Sequence, residues 1–432
     1  MEAAAKRVPY GGGLSPDRLS ALPDELLGHV LSLLPSWQSV QTTVPAINLD
    51  SSDFRKDSND WEEAWEWIED FATNLFALHR APCEAFRLKA HFVPDYLHPH
   101  VNAWIRRAIK DNPLVLQLMV TCYDDDARHY YYQLPHLGSS SCRRLKRLDL
   151  YGVLLDDSFT EKLQSWFPDL EDLVLRNCCG RFSGIHSDKR KNLVLKEYSV
   201  RINPPMAPGL ASLFLGVTFN TYRNGISLDA VNSLTKASIT FPAIPWSRSE
   251  AMLLGRLSRV TSLELMDFQP MAMLDEEFDK FPIFNNLRTL SLGSRFLDLD
   301  ECHVHDAHAS KALGRFLQKC PYLENLTLQN LQATLVTEPF ELPKLENLRT
   351  LFLSWCRLHD DFRLLQHCLQ SSPILEKLLL KYCKPLQCSQ LFFLQPQLQP
   401  TEQSRKPVPL QCPKLKSIEI IYHGGHDNIP EL

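Results

Sequence analysis

What this chain of 432 residues has little of narrows the field first. It has no surplus of positive charge: 46 lysines and arginines stand against 51 aspartates and glutamates, for a formal charge of -5 and an isoelectric point near 6.3. A phosphate backbone is held through clustered cations, so nucleic acid is not an expected partner. No stretch approaches the run of about eighteen apolar residues that a membrane-spanning helix needs, and none is expected to meet a membrane. The opening "MEAAAKRVPYGGGLSPDRLS" lacks the apolar centre of a secretory signal. A cytoplasmic or nuclear location is the expectation. The 12 cysteines are scattered through a chain without that signal, which argues for reduced, buried thiols rather than a disulfide framework. Cys178 and Cys179 are too close together to bridge without strain.

Enzyme signatures are missing as well. There is no phosphate-cradling GxxxxGK[ST], no GxSxG nucleophile turn, no HExxH and no kinase set, so no catalytic residue and no cofactor are expected. "ECHVHDAH" gathers Cys302, His303, His305, Asp306 and His308, but a tetrahedral zinc site draws on two separated pairs and no second pair follows. It reads as a polar loop ahead of a helix, and no metal is expected. "YDDDAR" at 123–128 lacks the ligand spacing of a calcium loop and reads as a solvated turn. In "WEEAWEWIEDFATNLFAL", Trp61, Trp65, Ile68, Phe71 or Ala72, and Leu75 recur at helical spacing with acids opposite, the pattern of a core-facing helix.

What the chain does have is a repeat. "LKRLDL" from Leu145, "LEDLVL" from Leu170, "LASLFL" from Leu210, "VTSLEL" from Val260, "LRTLSL" from Leu287, "LENLTL" from Leu323, "LRTLFL" from Leu348, "LEKLLL" from Leu375 and "LKSIEI" from Leu415 are each apolar at positions one, four and six. Several anchors lie 25 residues apart (145 to 170, 323 to 348) or 27 apart (260 to 287, 348 to 375), and "KNLVLKEYSV" and "NSLTKASITF" fill two of the wider gaps. Positions four and six flank one residue, so they point to the same side of a short strand. One such strand cannot bury its face alone; stacked copies pair in parallel and build a continuous core, with the rest of each repeat returning outside. "SFTEKLQSWF" from Ser158 and "HASKALGRFLQKC" from His308 carry the three-to-four spacing of such returning helices. The pattern resembles irregular, cysteine-containing leucine-rich repeats. Three residues past the last apolar position, where such repeats place Asn or Cys, stand Cys178, Cys356 and Cys383 in three copies. "CEAFRL" from Cys83 and "PLVLQL" from Pro113 fit loosely as opening copies. The expected fold class is α/β, a leucine-rich-repeat solenoid of short parallel strands and outer helices over residues 81–423, with a tail at 424–432.

Ahead of the repeats, Asp17 to Pro35 reads as a capped amphipathic helix. Ser20 caps it, Pro23 suits its first turn, and Asp24 and Glu25 sit where the helix dipole favours acids. Leu22, Leu26, Leu27, Val30, Leu31 and Leu34 form its apolar face. "DRLSALPDELLGHVLSLLPS" resembles the opening of an F-box, and an F-box followed by such repeats resembles the plant F-box/LRR family; "PAINLD" and "AWIRRAIKDNPLVLQL" are similar to that family's linker and first repeat. The resemblance implies a substrate-recognition subunit of a Skp-cullin-F-box ubiquitin ligase. Leu22, Pro23, Leu26, Leu27, Val30, Leu31 and Leu34 would then meet the Skp-family adaptor, and through it the cullin, while the repeats hold an unknown protein target. The expected division is a flexible start at 1–16, a partial F-box at 17–44 and a linker with an amphipathic helix at 45–80.

The departure from the family is at Val44, which is followed directly by Pro45. The basic, tryptophan-containing stretch that closes an F-box is absent. A segment below roughly 40 residues seldom folds without a partner, and folding on docking costs about 2–5 kcal/mol of the gross interaction, roughly 30-fold to several thousand-fold in affinity. The alternative expectation is a leucine-rich-repeat scaffold without ligase docking. For the target, the third and fifth positions of each motif face out of the strands onto the expected concave surface. Most are small or polar, as in Thr289 and Ser291 or Asn325 and Thr327, but Val174, Phe214, Phe352 and Leu379 are apolar. Apolar groups rimmed by charge are where recognition energy concentrates.

Overall fold

The computed structural model describes residues 45–55, 61–79, 82–123, 129–136, 142–156, 158–182, 189–202, 209–217, 233–241, 253–267, 282–293, 313–329, 342–355, 357–358, 363–385 and 412–421. The chain divides into two compact units, the first made of 1–152 with 166–169 and the second of 153–165 with 170–432.

The first unit carries four parallel strands in chain order: β1 (Ala46–Asp50), β2 (Ala85–Val93), β3 (Val115–Tyr123) and β4 (Arg147–Tyr151). Their register aligns Ile47, Phe86, Leu116 and Leu148 in one row and Leu49, Leu88, Leu118 and Leu150 in the next. Both rows are fully buried. Parallel neighbours cannot be joined by a tight turn, and the first two crossovers here are helical. Helix α1 (Trp61–Leu78) buries Ala64, Trp65, Ile68, Ala72 and Leu75, while α2 (His98–Lys110) buries Val101, Trp104, Ile105, Ala108 and Ile109. Pro99 in the first turn of α2, and Arg107 and Lys110 in its last, suit its ends. The stripe expected from Trp61 onward is therefore buried at Trp65, Ile68, Ala72 and Leu75, with Trp61 and Phe71 half-exposed at its margin.

Residues 45–80 are more than a linker. β1 pairs residue for residue with β2, and the Pro45 carbonyl accepts from the backbone of Glu84 at 2.6 Å and Ala85 at 3.2 Å. "VPAINL" from Val44 in fact repeats the motif, with Ile47 and Leu49 in the core positions.

The second unit carries ten parallel strands, again in chain order: β5 (Asp172–Arg176), β6 (Asn192–Ile202), β7 (Ser212–Val217), β8 (Lys236–Thr240), β9 (Ser262–Met266), β10 (Thr289–Gly293), β11 (Asn325–Gln329), β12 (Thr350–Ser354), β13 (Lys377–Lys381) and β14 (Ser417–Ile421). Every anchor motif past residue 170 supplies one strand, and "KNLVLKEYSV" and "NSLTKASITF" supply β6 and β8. One core row runs Leu173, Leu193, Leu213, Ala237, Leu263, Leu290, Leu326, Leu351, Leu378, Ile418, one residue per strand without a slip. All are buried except Ile418, 57% exposed on the last strand. Each buried leucine removed from water contributes about 1.5–3 kcal/mol, so the two apolar positions of each strand dominate the stability of the stack. Helices at 253–256 and 313–318, α3 (Phe159–Trp166) and α4 (Arg363–Gln370) lie on the return segments. Phe284 and Phe316, both fully buried, pack edge to face at 5.8 Å between two of these returns. This is leucine-rich-repeat architecture, the expected α/β class.

Four strand exits in the second unit are built alike. Asn177, Asp267, Trp355 and Tyr382 have left-handed backbones with φ of 47°, 55°, 55° and 53°. Their N–H groups donate to the carbonyls of Lys196, Gly293, Lys381 and Ile421 on the next strand at 2.7–2.9 Å; the last three close their strands, and Lys196 is the last residue of β6 paired with β5. Gly180, at φ 130°, belongs to a smaller ladder of Val153–Leu155, Cys179–Phe182 and the far half of β6. A Cβ there would lie 1.9 Å from the Leu155 carbonyl oxygen, so only glycine fits.

Candidate partner-binding face

Side chains between the two core rows point away from the core, and the register shows which of them are neighbours. In the second unit the central outward row reads Val174, Val194, Phe214, Ser238, Glu264, Ser291, Thr327, Phe352, Leu379, Glu419. The four apolar residues expected on this face fall into two groups. Val174 and Phe214 flank Val194 on three consecutive strands, and Phe352 sits beside Leu379. Between the groups lies a polar stretch in which the Ser238 hydroxyl donates to Glu264 at 2.7 Å. Phe214, Phe352 and Leu379 are half-buried, whereas Val174 is 7% exposed and takes little part in an open surface. Val194 was not foreseen, because its motif starts with Arg190 where the others start with an aliphatic residue. Room for Phe214 comes from Gly216: a Cβ there would press on the phenyl edge at 3.2 Å.

A second feature went unforeseen. Trp355 and Tyr382 occupy the left-handed exit positions of β12 and β13, their rings 4.5 Å apart, with the Lys381 ammonium 5.1 Å from the tyrosine ring centre. Trp355 is 40% exposed. The signal was an aromatic residue one place beyond the strand in two successive copies, "TLFLSW" and "KLLLKY". Bulky side chains rarely adopt this backbone, at a cost of about 1–2 kcal/mol each.

The first unit's outward row is polar. Arg87 donates to Asn48 at 3.1 Å, Lys89 pairs with Asp50 at 3.0 Å, and Arg147 stands 3.9 Å from Asp149. Beside it is a hydrogen-bonded cluster. Tyr130 donates to Asp95, Tyr132 donates to Asn102, and the His98 Nε2 lies 3.4 Å from the Tyr130 hydroxyl and 3.5 Å from the Cys122 sulfur. Burial pushes the Cys122 thiol up to about 12 and the His98 imidazole down. A protonated thiol beside a neutral imidazole is the reverse of an activated cysteine nucleophile; only Cys122 and Tyr132 of this cluster are buried, and Asp95 is exposed.

Among the described residues no three or more His, Cys, Asp or Glu converge on a metal position, and no helix is long and apolar enough to cross a membrane. The "ECHVHDAH" loop, the acid run after Tyr123, Cys356 and the adaptor-facing Leu22, Pro23, Leu26, Leu27, Val30, Leu31 and Leu34 lie outside the described residues. Cys178 is buried and donates to the Arg176 carbonyl at 3.4 Å, and Cys383 approaches the Leu353 and Lys381 carbonyls at 3.5 and 3.7 Å.

No protein-family model matches the sequence. Among solved structures, an internalin from Listeria monocytogenes aligns with a TM-score of 0.31 at 12% identity, covering 91% of this chain and 93% of that one. Among curated proteins, the MEIOTIC F-BOX protein MOF of Oryza sativa subsp. japonica is 31% identical over 356 residues, 73% of this chain and 71% of its own. A putative F-box/LRR-repeat protein of Arabidopsis thaliana is 29% identical over 211 residues, 38% of each chain. Another Arabidopsis F-box/LRR-repeat protein is 23% identical over 368 residues, 73% of this chain and 55% of its own. With its repeat ladders and these relatives, the chain belongs to the plant F-box/LRR family.

Proposed function

We propose that the chain is a substrate-recognition subunit of a Skp-cullin-F-box ubiquitin ligase. Leu22, Pro23, Leu26, Leu27, Val30, Leu31 and Leu34 dock on a Skp-family adaptor, and the outward strand face, centred on Phe214, Phe352 and Leu379, holds a protein target. The observation that carries this reading is the F-box-like opening "DRLSALPDELLGHVLSLLPS" joined to repeats related to an F-box protein over 73% of the chain. The reading assigns the chain no chemistry of its own: ubiquitin transfer belongs to the assembled ligase, and the chain contributes two binding surfaces. The setting is cytoplasmic or nuclear, with no part for nucleic acid, membrane or cofactor.

A second reading, a repeat scaffold without ligase docking, is favoured by the junction at Pro45. Its carbonyl already serves the first strand pair, which leaves no chain between Val44 and the ladder for the closing part of an F-box. Calorimetry of the full chain with a plant Skp adaptor separates the two, run beside a version with a closing helix inserted between Val44 and Pro45. Micromolar or tighter binding by the native chain, lost on Leu26→Asp, is the result expected for a ligase subunit. Binding by the extended version alone would establish the scaffold.

A further inference from the structure

We infer that Arg190 marks a site for a small oxyanion enclosed within the repeat core of the second unit. The register places Asn192 opposite Asp172 on one side and Ser212 on the other, so Arg190 occupies the motif position held by Leu170 and Leu210 in the adjoining copies. Other copies have Leu234, Val260, Leu287, Leu323, Leu348 and Leu375 there, all buried. Arg190 is buried as deeply as they are, at 1% exposure, and its Nε and Nη1 have no hydrogen-bond partner.

A guanidinium does not escape this by losing its proton. Burial lowers its pKa to about 10, which still leaves it charged at neutral pH. Unpaired buried charge is among the most costly arrangements a fold can hold. Among the described residues, the acids of the neighbouring copy are engaged elsewhere: Glu171 pairs with Lys191 at 2.6 Å, and Asp172 accepts from the Asn192 amide, while burial is the one influence acting on the guanidinium. The missing negative charge therefore comes from solution. At 1% exposure the side chain offers no face to a macromolecule, so the occupant is small and is closed in as the copies stack. The planar donor fork of arginine matches phosphate and carboxylate oxygens, which sets the ligand class as a phosphate or a small carboxylate.

The test uses the full-length chain purified in chloride buffer, with Arg190→Leu as its partner. Leucine restores the residue found at this position in the neighbouring copies, so that variant is expected to fold. The first measurement is ion chromatography of anions released on urea unfolding, with about one equivalent expected from the wild type and none from the variant. The second is the thermal midpoint in chloride, in 10 mM inorganic phosphate and in 10 mM acetate at matched ionic strength. A ligand that binds only the folded state raises the midpoint, here by about 5 °C for the wild type and not for the variant. A rise in phosphate alone assigns a phosphate site, and a rise in acetate assigns a carboxylate site. The proposal is overturned if the wild type neither releases an anion nor responds to either, or if Arg190→Leu responds equally.

Discussion

At the scale of single residues, the thiols show how far burial decides chemistry. The nine described cysteines are all free, and most end on a backbone carbonyl: Cys83 on Ala85, Cys142 on Pro113, Cys320 on Phe316. Burial raises Cys83 to about 11 and Cys122, Cys320 and Cys368 to about 12, against an ordinary thiol near 8.5. Alkylation needs the thiolate. In the native protein at pH 8, Cys179, on the smaller ladder and partly exposed, should be modified by iodoacetamide well before these four, which should react only on unfolding. Peptide mass spectrometry along a time course reads the order directly, and early labelling of Cys320 or Cys368 would contradict the packing. The reduced, buried character of the cysteines was legible in the sequence from their scatter and the missing secretory signal. Arg190 was not: its six-residue motif, "RKNLVL", breaks the apolar pattern at its first letter, and only the register of β6 against β5 and β7 shows that an arginine has been set where leucine belongs.

At the scale of elements, most strands announced themselves because two leucines separated by one residue, in front of a polar turn, have few other ways to be buried together. β1 escaped because "PAINLD" is similar to the family's linker, and because its motif begins at the edge of an incomplete module. Its exit turn is specific: Asp50 accepts from the Ser52 amide at 3.1 Å and hydroxyl at 2.6 Å and pairs with Lys89 on β2. Burial by itself raises the Asp50 pKa, but the Ser52 hydrogen bonds and Lys89 outweigh it and hold the carboxyl below its ordinary value. A carboxyl whose pKa is lower in the folded state contributes stability that is present above its unfolded pKa, near 3.9, and is lost as pH falls through the folded value. Asp50→Ala should therefore destabilise the first unit by about 1 kcal/mol at pH 7, as loss of a capping carboxylate does. Urea titrations at pH 7 and below pH 3 test this: the gap between variant and wild type should close in acid, and a constant gap would exclude the ionised carboxylate as its source. The apolar residues of the outward face were legible from the same periodicity, except that Val174 packs away, and the Trp355–Tyr382 pair lies on turn positions that strand spacing does not reach.

For the molecule as a whole, a stack of repeats has stability that is close to a sum over neighbouring copies. Leu290, fully buried with a strand on either side, should cost about 2–5 kcal/mol on truncation to alanine. Ile418 holds the same row position on β14, which pairs only with β13 among the described strands, and stands 57% exposed, so Ile418→Ala should cost less than about 1 kcal/mol. Circular dichroism during urea unfolding measures both, and equal losses would contradict nearest-neighbour stacking. The register also bears on how such a chain can change over generations. From the first position of one motif to the next, the chain takes 20 residues between 170 and 190, 36 between 287 and 323, and 40 between 375 and 415, yet every strand still meets its neighbour in step. The rungs are fixed and the spans between them are not. A duplication or loss of one rung, or a foreign tag spliced into a span, leaves the remaining alignments intact, so heredity can rewrite what this face displays by whole rungs without having to invent a new fold.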